Sequence, residues 1–301
     1  MAMNTLIEEF IKTRPESEYV IGYGSGVIRQ AYNFKSTPQI DLIMGVDNVR
    51  KWHGENHGLN PSDYKSRLGY RLLPMYENLG TRVNYLSHLP FEGHMFKIGI
   101  VNKSDLIRDL LYWDNFFLAG RFQKPVDVIK GDDELECAMR LNRMHALKAA
   151  LLSSGKRTIS EKELYELICS LSYIGDFRTI VPIENENKVG NIVEGSFDGF
   201  HDIYSEVNHG YFDKDKDGLV INYESLFNKL ETLPEALRRK ILSLPPSKDM
   251  SDEDLLLLRK TISNHFTKVN MVTSAFQPAK GLALNGFSKT LTYLGQKLEK
   301  R

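Results

Sequence analysis

Along the first 130 residues, short apolar runs rich in Ile, Val and Leu alternate with polar stretches. Residues 18–23 and 39–46 predict strands, with a short helix over 4–12 before them. Residues 81–86 and 94–101 predict a strand pair joined through Pro90 and Gly93. Residues 103–117 set Leu106, Leu110, Trp113 and Phe117 on one helical face, with Gly120 as the stop. Residues 48–70 are polar and aromatic with little periodicity. They predict a long loop, of the kind that carries function in compact domains.

After Val128 the spacing becomes helical. A helix fits 132–153 and breaks at Gly155. Ser160 with Glu163 forms a capping box opening a helix to about Tyr173, and more helices fit 197–209, 234–243 and 251–268. Asp217-Gly218 between apolar residues signals a hairpin. Helices with one hairpin suggest a winged-helix-like unit, closed by a hinge at Pro245-Pro246. The last helix, 282–301, spaces Leu284, Phe287, Leu291, Leu294 and Leu298 by threes and fours. Lys280, Lys289, Lys297, Lys300 and Arg301 accompany them. Such a basic amphipathic helix suits an anionic membrane surface, although a plain packing helix shows the same stripe. The chain thus reads as α/β: a mixed-sheet domain over 1–130, a mostly helical winged-helix-like domain over 131–247, and a C-terminal region over 248–301 with the amphipathic helix.

Composition narrows the function classes. With 301 residues, two domains are expected. Lys+Arg and Asp+Glu balance at 39 each, which gives no general pull toward nucleic acid, and no nucleic-acid partner is expected. Cys137 and Cys169 sit in helical, apolar contexts and read as structural thiols of a reduced compartment. No apolar run approaches the roughly 20 residues that span a bilayer. The N-terminus reads as neither a signal nor a transit peptide, so any membrane is met from the side.

The chemistry concentrates in Tyr23-Gly24-Ser25-Gly26-Val27 and the following Pro38-Gln39-Ile40-Asp41-Leu42-Ile43. A small, bendable turn lets backbone N–H groups approach phosphate, and an acid on the next strand can hold the magnesium that accompanies a nucleoside triphosphate. That is the nucleotidyltransferase arrangement, and it makes Gly24, Ser25 and Gly26 phosphate-binding candidates with Asp41 as the metal ligand. The usual partner acid two residues on is replaced by Ile43. Asp47 can share the metal only if the chain bends at Gly45, and its alternative is a loop cap. Lys97 on its strand suits neutralisation of a leaving pyrophosphate, or is a solvated strand lysine. Arg121 and Lys124 follow a helix end, where phosphate contact and the helix dipole both favour cations. Trp52, His53 and Asn56 in the long stretch, with Tyr64, suit stacking on a base or closing over a nucleotide. His53 and His57 have zinc-like spacing but no third ligand in helical context. Asp213, Asp215, Asp217, Gly218 and Glu224 also fit an EF-hand calcium loop, against which stand Ile221 at position 9 and the hairpin reading.

Several segments together resemble the mitochondrial-type phosphatidate cytidylyltransferases, the CDP-diacylglycerol synthases of the translocator assembly and maintenance family. They are YGSGVIRQA at 23–31, IDLIMGVDN at 40–48, WHGEN at 52–56, Tyr64-Lys65-Ser66, DLLYWDNFFLAGRFQKPV at 109–126, LSYIGDFR at 171–178, KVGNIV at 188–193 and QPAKGLALNGFSKTLTY at 277–293. The resemblance implies a magnesium-dependent reaction of CTP with phosphatidic acid, giving CDP-diacylglycerol and pyrophosphate for phospholipid and cardiolipin synthesis. It implies a peripheral enzyme on an anionic membrane. That membrane is the cytoplasmic face in a bacterial setting, which the N-terminus favours, or the matrix side of the mitochondrial inner membrane. Two rivals are a nucleotidyltransferase with a soluble acceptor and a non-enzymatic winged-helix binding module.

Overall fold

The N-terminal alternation builds a sheet with two dressed faces. The computed structural model describes residues 3–28, 38–64, 67–176, 187–244 and 250–298, with 67–69, 278–279 and 281–298 by backbone alone. After helix α1 (Met3–Lys12) come β1 (Tyr19–Tyr23), β2 (Ile40–Val46), α2 (Val49–Leu59), α3 (Arg67–Tyr76), β3 (Asn84–Phe91), β4 (His94–Asn102), α4 (Lys103–Tyr112), α5 (Ala119–Phe122) and β5 (Asp127–Lys130). The five strands form one mixed sheet in the order β3-β4-β2-β1-β5, with β2 and β4 parallel and the other pairs antiparallel. Pro90 lies within β3, an edge strand, where its missing N–H is tolerated. The β3–β4 turn falls at Glu92-Gly93.

On one face Val20, Ile40, Leu42, Met44, Ile98 and Ile100 pack under α1, Trp52 and Leu73. On the other, Tyr19, Ile21, Ile43 and Tyr85 join a larger core that continues into the rest of the chain. There α6 (Asp133–Ser153) is the central helix, followed by β6 (Thr158–Ile159), α7 (Glu161–Ser170), α8 (Lys188–Gly195), α9 (Phe197–Ser205), β7 (Phe212–Asp215), β8 (Gly218–Ile221), α10 (Tyr223–Asn228) and α11 (Glu235–Leu242). Ser160 caps α7 through the Glu163 N–H, while the Glu163 carboxylate turns to Lys156 instead of closing the capping box. The three short strands form a second sheet, β6-β8-β7.

Four readings need correction. The stretch 48–70 is not a loop: Asn48 caps α2 through the Lys51 N–H, and α3 begins at Arg67. Its buried face is Trp52, His53 and Asn56, so apolar counting does not register it. The helix after β4 stops at Tyr112, where Trp113 takes a left-handed conformation (φ 56°), and Gly120 lies inside α5. The hairpin turns at Lys216-Asp217, with Gly218 already paired to Asp215 in β8. That hairpin also removes the calcium loop: Asp213 and Asp215 are strand residues. Among the described residues no cluster of three or more His, Cys, Asp or Glu side chains could hold a metal ion. Finally, the two predicted C-terminal helices are one, α12 (Asp252–Leu298). The Pro245-Pro246 hinge, Arg29–Ala31, Lys65, Ser66, Phe177, Arg178, Lys300 and Arg301 lie outside the described residues, as do the side chains of the distal stripe from Leu284 onward.

Helix α12 ties the ends of the chain together. Leu255, Leu258, Ile262 and Phe266 enter the large core. Further along, Gln277 donates to Thr81 Oγ1 and Val83 O, and Lys280 donates to Glu77 O (3.2 Å) and Leu79 O (3.1 Å). Lys280 is therefore buried, not a cation of a membrane-facing stripe, and burial lowers its pKa to about 8. By lying against β3 the helix also covers one open edge of the sheet.

Candidate active site

The Gly-Ser-Gly segment folds back on the start of β2. Val27 and Ile28 N–H both donate to Gly24 O, at 3.1 and 2.8 Å, closing a tight turn. Gly24 has φ +74°, and a Cβ there would face Asp41 Oδ2 at 3.5 Å. At Gly26 a Cβ would sit 2.0 Å from Gln39 O, so no other residue fits without moving β2. Gly24, Ser25, Gly26 and Asp41 are thus brought together as the sequence predicts.

Strand register assembles the side chains. Tyr23, Asp41 and Lys97 are direct partners on three neighbouring strands, so all three emerge on one face. Lys97 Nζ lies 3.3 Å from Asp41 Oδ1 and 4.4 Å from the centre of the Tyr85 ring. Asp41 Oδ1 is buried and has no hydrogen-bond partner among the described residues. The Tyr23 and Tyr85 hydroxyls are 3.1 Å apart. Burial drives the Tyr23 pKa far up, against the pull of Lys97, so the phenol stays neutral. The Arg121 guanidinium stacks 3.6 Å from the Phe117 ring centre and 6.0 Å from that of Tyr23, while Nη1 donates to Phe117 O. Lys124 Nζ donates to Gly120 O (2.6 Å) and Ser172 Oγ (2.7 Å), clipping α5 to the segment after α7.

A buried carboxylate holds that cationic corner. Asp109 Oδ1 accepts from the N–H groups of Asn115 and Phe116, and Oδ2 from those of Leu118 and Ala119, all within 3.1 Å. The chain after α4 therefore wraps around one side chain, with Trp113 and Phe116 at positive φ, before delivering Arg121. Asn142 of α6 locks the same corner, accepting from Trp113 Nε1 and donating to Ala119 O. Burial raises the Asp109 pKa, and the four N–H groups oppose that rise.

Comparison with known proteins bears on what such a corner belongs to. The family model described as "Phosphatidate cytidylyltransferase, mitochondrial" matches residues 4–300. The chain belongs to this family. It is 34% identical to the Schizosaccharomyces pombe phosphatidate cytidylyltransferase, over 94% of this chain and 80% of that protein. The Xenopus laevis relative is 32% identical and the Mus musculus relative 31%, each over 92% of this chain and 88% of the relative.

Not every predicted residue of this family member reaches the corner. Asp47 lies at the far end of β2, exposed and paired with Lys103 at 2.8 Å. The register of β2 runs unbroken through Gly45, where a Cβ would strike the Tyr19 ring at 2.8 Å. Gly45 makes room for Tyr19 and produces no bend, so Asp47 cannot share a metal with Asp41. It is not a cap either, since Asn48 serves α2. Trp52, His53, Asn56 and Tyr64 are buried on the opposite face of the sheet. The indole donates to Pro15 O, His53 Nδ1 meets Tyr64 Oη at 2.7 Å, and the Asn56 amide donates to Asp63. Stacking on a base is closed to Trp52 in this position. Tyr23 and Tyr85 are the additions the sequence reading missed. Tyr23 could have been found by counting alternation along 19–23 toward the same face as Asp41.

Proposed function

We propose that the chain transfers the cytidylyl group of CTP to phosphatidic acid, giving CDP-diacylglycerol and pyrophosphate. The observation that carries the reading is the Asp41–Lys97 pair set against the Gly24–Gly26 turn, in a chain matched by the family model from residue 4 to 300. One phosphate oxygen of phosphatidic acid attacks the α-phosphorus of CTP. The bond from that phosphorus to the bridging oxygen breaks, and pyrophosphate leaves with the electron pair. The nucleophile's second pKa is about 6, so it needs no strong base. Catalysis is then positioning and charge neutralisation.

In this reading Gly24, Ser25 and Gly26 receive the triphosphate, and Lys97 with Arg121 offsets charge on the departing pyrophosphate. Lys124 keeps α5 in register with the second part of the chain. The Asp41 carboxylate, engaged by Lys97 at 3.3 Å and otherwise without a hydrogen bond to Oδ1 among the described residues, would be the group to hold a magnesium ion. Magnesium is commonly held by one or two carboxylates together with phosphate oxygens and water, and it would supply charge neutralisation at the phosphates. The relatives cited carry mitochondrial names, which supports a mitochondrial membrane over a bacterial cytoplasmic face. No helix among the described residues is long and apolar enough to cross a membrane, in keeping with a peripheral attachment. The test is product formation from CTP and phosphatidate vesicles with and without magnesium. Equal turnover of a soluble acceptor, or no CTP consumption at all, overturns the reading.

A further inference from the structure

Helix α3 has a buried side and an unpartnered side. Leu73 enters the core and Glu77 is buried against Arg50, whereas Leu72, Met75 and Leu79 stand 40, 74 and 52% exposed at helical spacing. The helical turn continues to Leu79, because Glu77 N–H bonds Leu73 O and Leu79 N–H bonds Tyr76 O. Beside it on α12, Val272 and Phe276 are 58 and 45% exposed. The two sets adjoin: a Cβ on Gly80 would meet Phe276 Cβ at 2.9 Å. Lys280 donates to Glu77 O and Leu79 O at the end of α3, and Gln277 donates to Val83 O before β3, so α12 is fixed against this corner.

We propose that Leu72, Met75, Leu79, Val272 and Phe276 form a bilayer-inserting surface that seats the protein on an anionic membrane, additional to any contact by the end of α12. The proposal rests on the reading above in one respect, that the substrate is a lipid. Charge decides the occupant. Helix α3 carries Arg67 and Arg71 and no acid, and Arg71 is exposed. On α12, Lys268 stands exposed one turn before Val272, and from Leu255 to Leu298 the sequence has no Asp or Glu. An apolar face set among cations without anions matches negatively charged headgroups. A second copy of the same face would bring like charges together. The surface flanks the start of β3, an edge strand whose Tyr85 touches Lys97.

The test uses the full chain and the double variant Met75→Asp/Leu79→Asp, two side chains whose exposure spares the core. Flotation is measured on phosphatidylcholine vesicles with and without phosphatidylglycerol, neither of which is a substrate. Binding to the anionic vesicles should fall at least about ten-fold, whereas the conservative Met75→Leu alone should leave it near that of the parent. Val220→Asp, an exposed apolar residue of β8, should leave flotation unchanged. Conversion of short-chain, monomeric phosphatidate should be equal in the double variant and the parent. Unchanged flotation of the double variant overturns the proposal, as does a dimer that the double variant abolishes while flotation persists. Flotation without conversion of either phosphatidate form fails the functional reading and leaves the surface standing.

Discussion

The two faces of the five-stranded sheet each bury a polar cluster, and they treat their charges differently. On the α2 side, Arg14, His53, Asn56, Asp63 and Tyr64 pair with one another in a buried network, with Arg14 Nη2 3.4 Å from Asp63, although Arg14 Nε and His53 Nε2 find no hydrogen-bond partner among the described residues. On the other side, Asp41 and Lys97 form a half-open ion pair under two tyrosines, beside a turn where an added Cβ has no room at Gly26. Burial away from the Gly-Ser-Gly turn marks framework, and a partly exposed ion pair beside a constrained backbone marks the place for chemistry. This is why the family's aromatic and amide residues at 52–64, conspicuous in sequence, are read here as framework.

The sharpest break between the faces is Asp41→Asn. Turnover should fall by about 10³-fold, near 4 kcal/mol of transition-state stabilisation, while thermal melting stays close to the parent. Near-normal turnover at saturating magnesium would remove Asp41 from the site. Asp63→Ala should do the opposite. Breaking a buried ion pair costs about 3–5 kcal/mol, so urea denaturation should show a large loss while turnover per folded molecule is retained. Loss of turnover without loss of stability would move that network into the site.

Acid separates the faces next. Burial holds the His53 pKa at about 3, against an ordinary value near 6.5. As pH falls below about 6.5 the unfolded chain takes up a proton that folded His53 refuses, so stability is full above that pH and drops by about 1.4 kcal/mol per pH unit below it. Urea midpoints followed from neutral to acid pH should show this fall, and a His53→Gln variant a shallower one. Parallel slopes would show that His53 does not carry the effect. The mildest probe is Tyr85→Phe, which keeps the ring beside Lys97 and removes only its hydroxyl partner for Tyr23. It should cost about 1 kcal/mol of stability and change turnover only a few-fold. A collapse of activity would assign the hydroxyl a direct role.

What sequence could reveal follows from the same contrast. Alternation located the first four strands of the sheet, though β3 runs from Asn84 to Phe91 and not over 81–86 and β5 escaped, and the Gly-Ser-Gly turn with Asp41 singled out one candidate corner. The helix α2 escaped because its buried side is Trp52, His53 and Asn56, a face made inward by hydrogen bonds and not by hydrophobicity. Asp47 was misjudged because a straight strand and one bent at Gly45 read alike until the Tyr19 ring is seen filling the glycine's space. The stop of α4 was misplaced because Asp109 reorganises ten residues downstream of itself, a long reach for one side chain. Arg121 and Lys124 were singled out from local composition; Arg121 lies 6.0 Å from the Tyr23 ring centre on the Asp41 side, while Lys124 bonds Ser172.

The bolt between α12 and the α3–β3 corner also has a meaning in time. Glu77 and Val83 receive their partners from residues 194 to 203 positions later in the chain. At ~5–20 residues per second, a ribosome needs roughly 10 to 40 seconds to make that interval. Throughout it, the edge of β3 and the side of α3 that faces α12 stay bare on a nascent sheet. The first half of this protein must therefore be shielded, or wait unfinished, until its last helix is made.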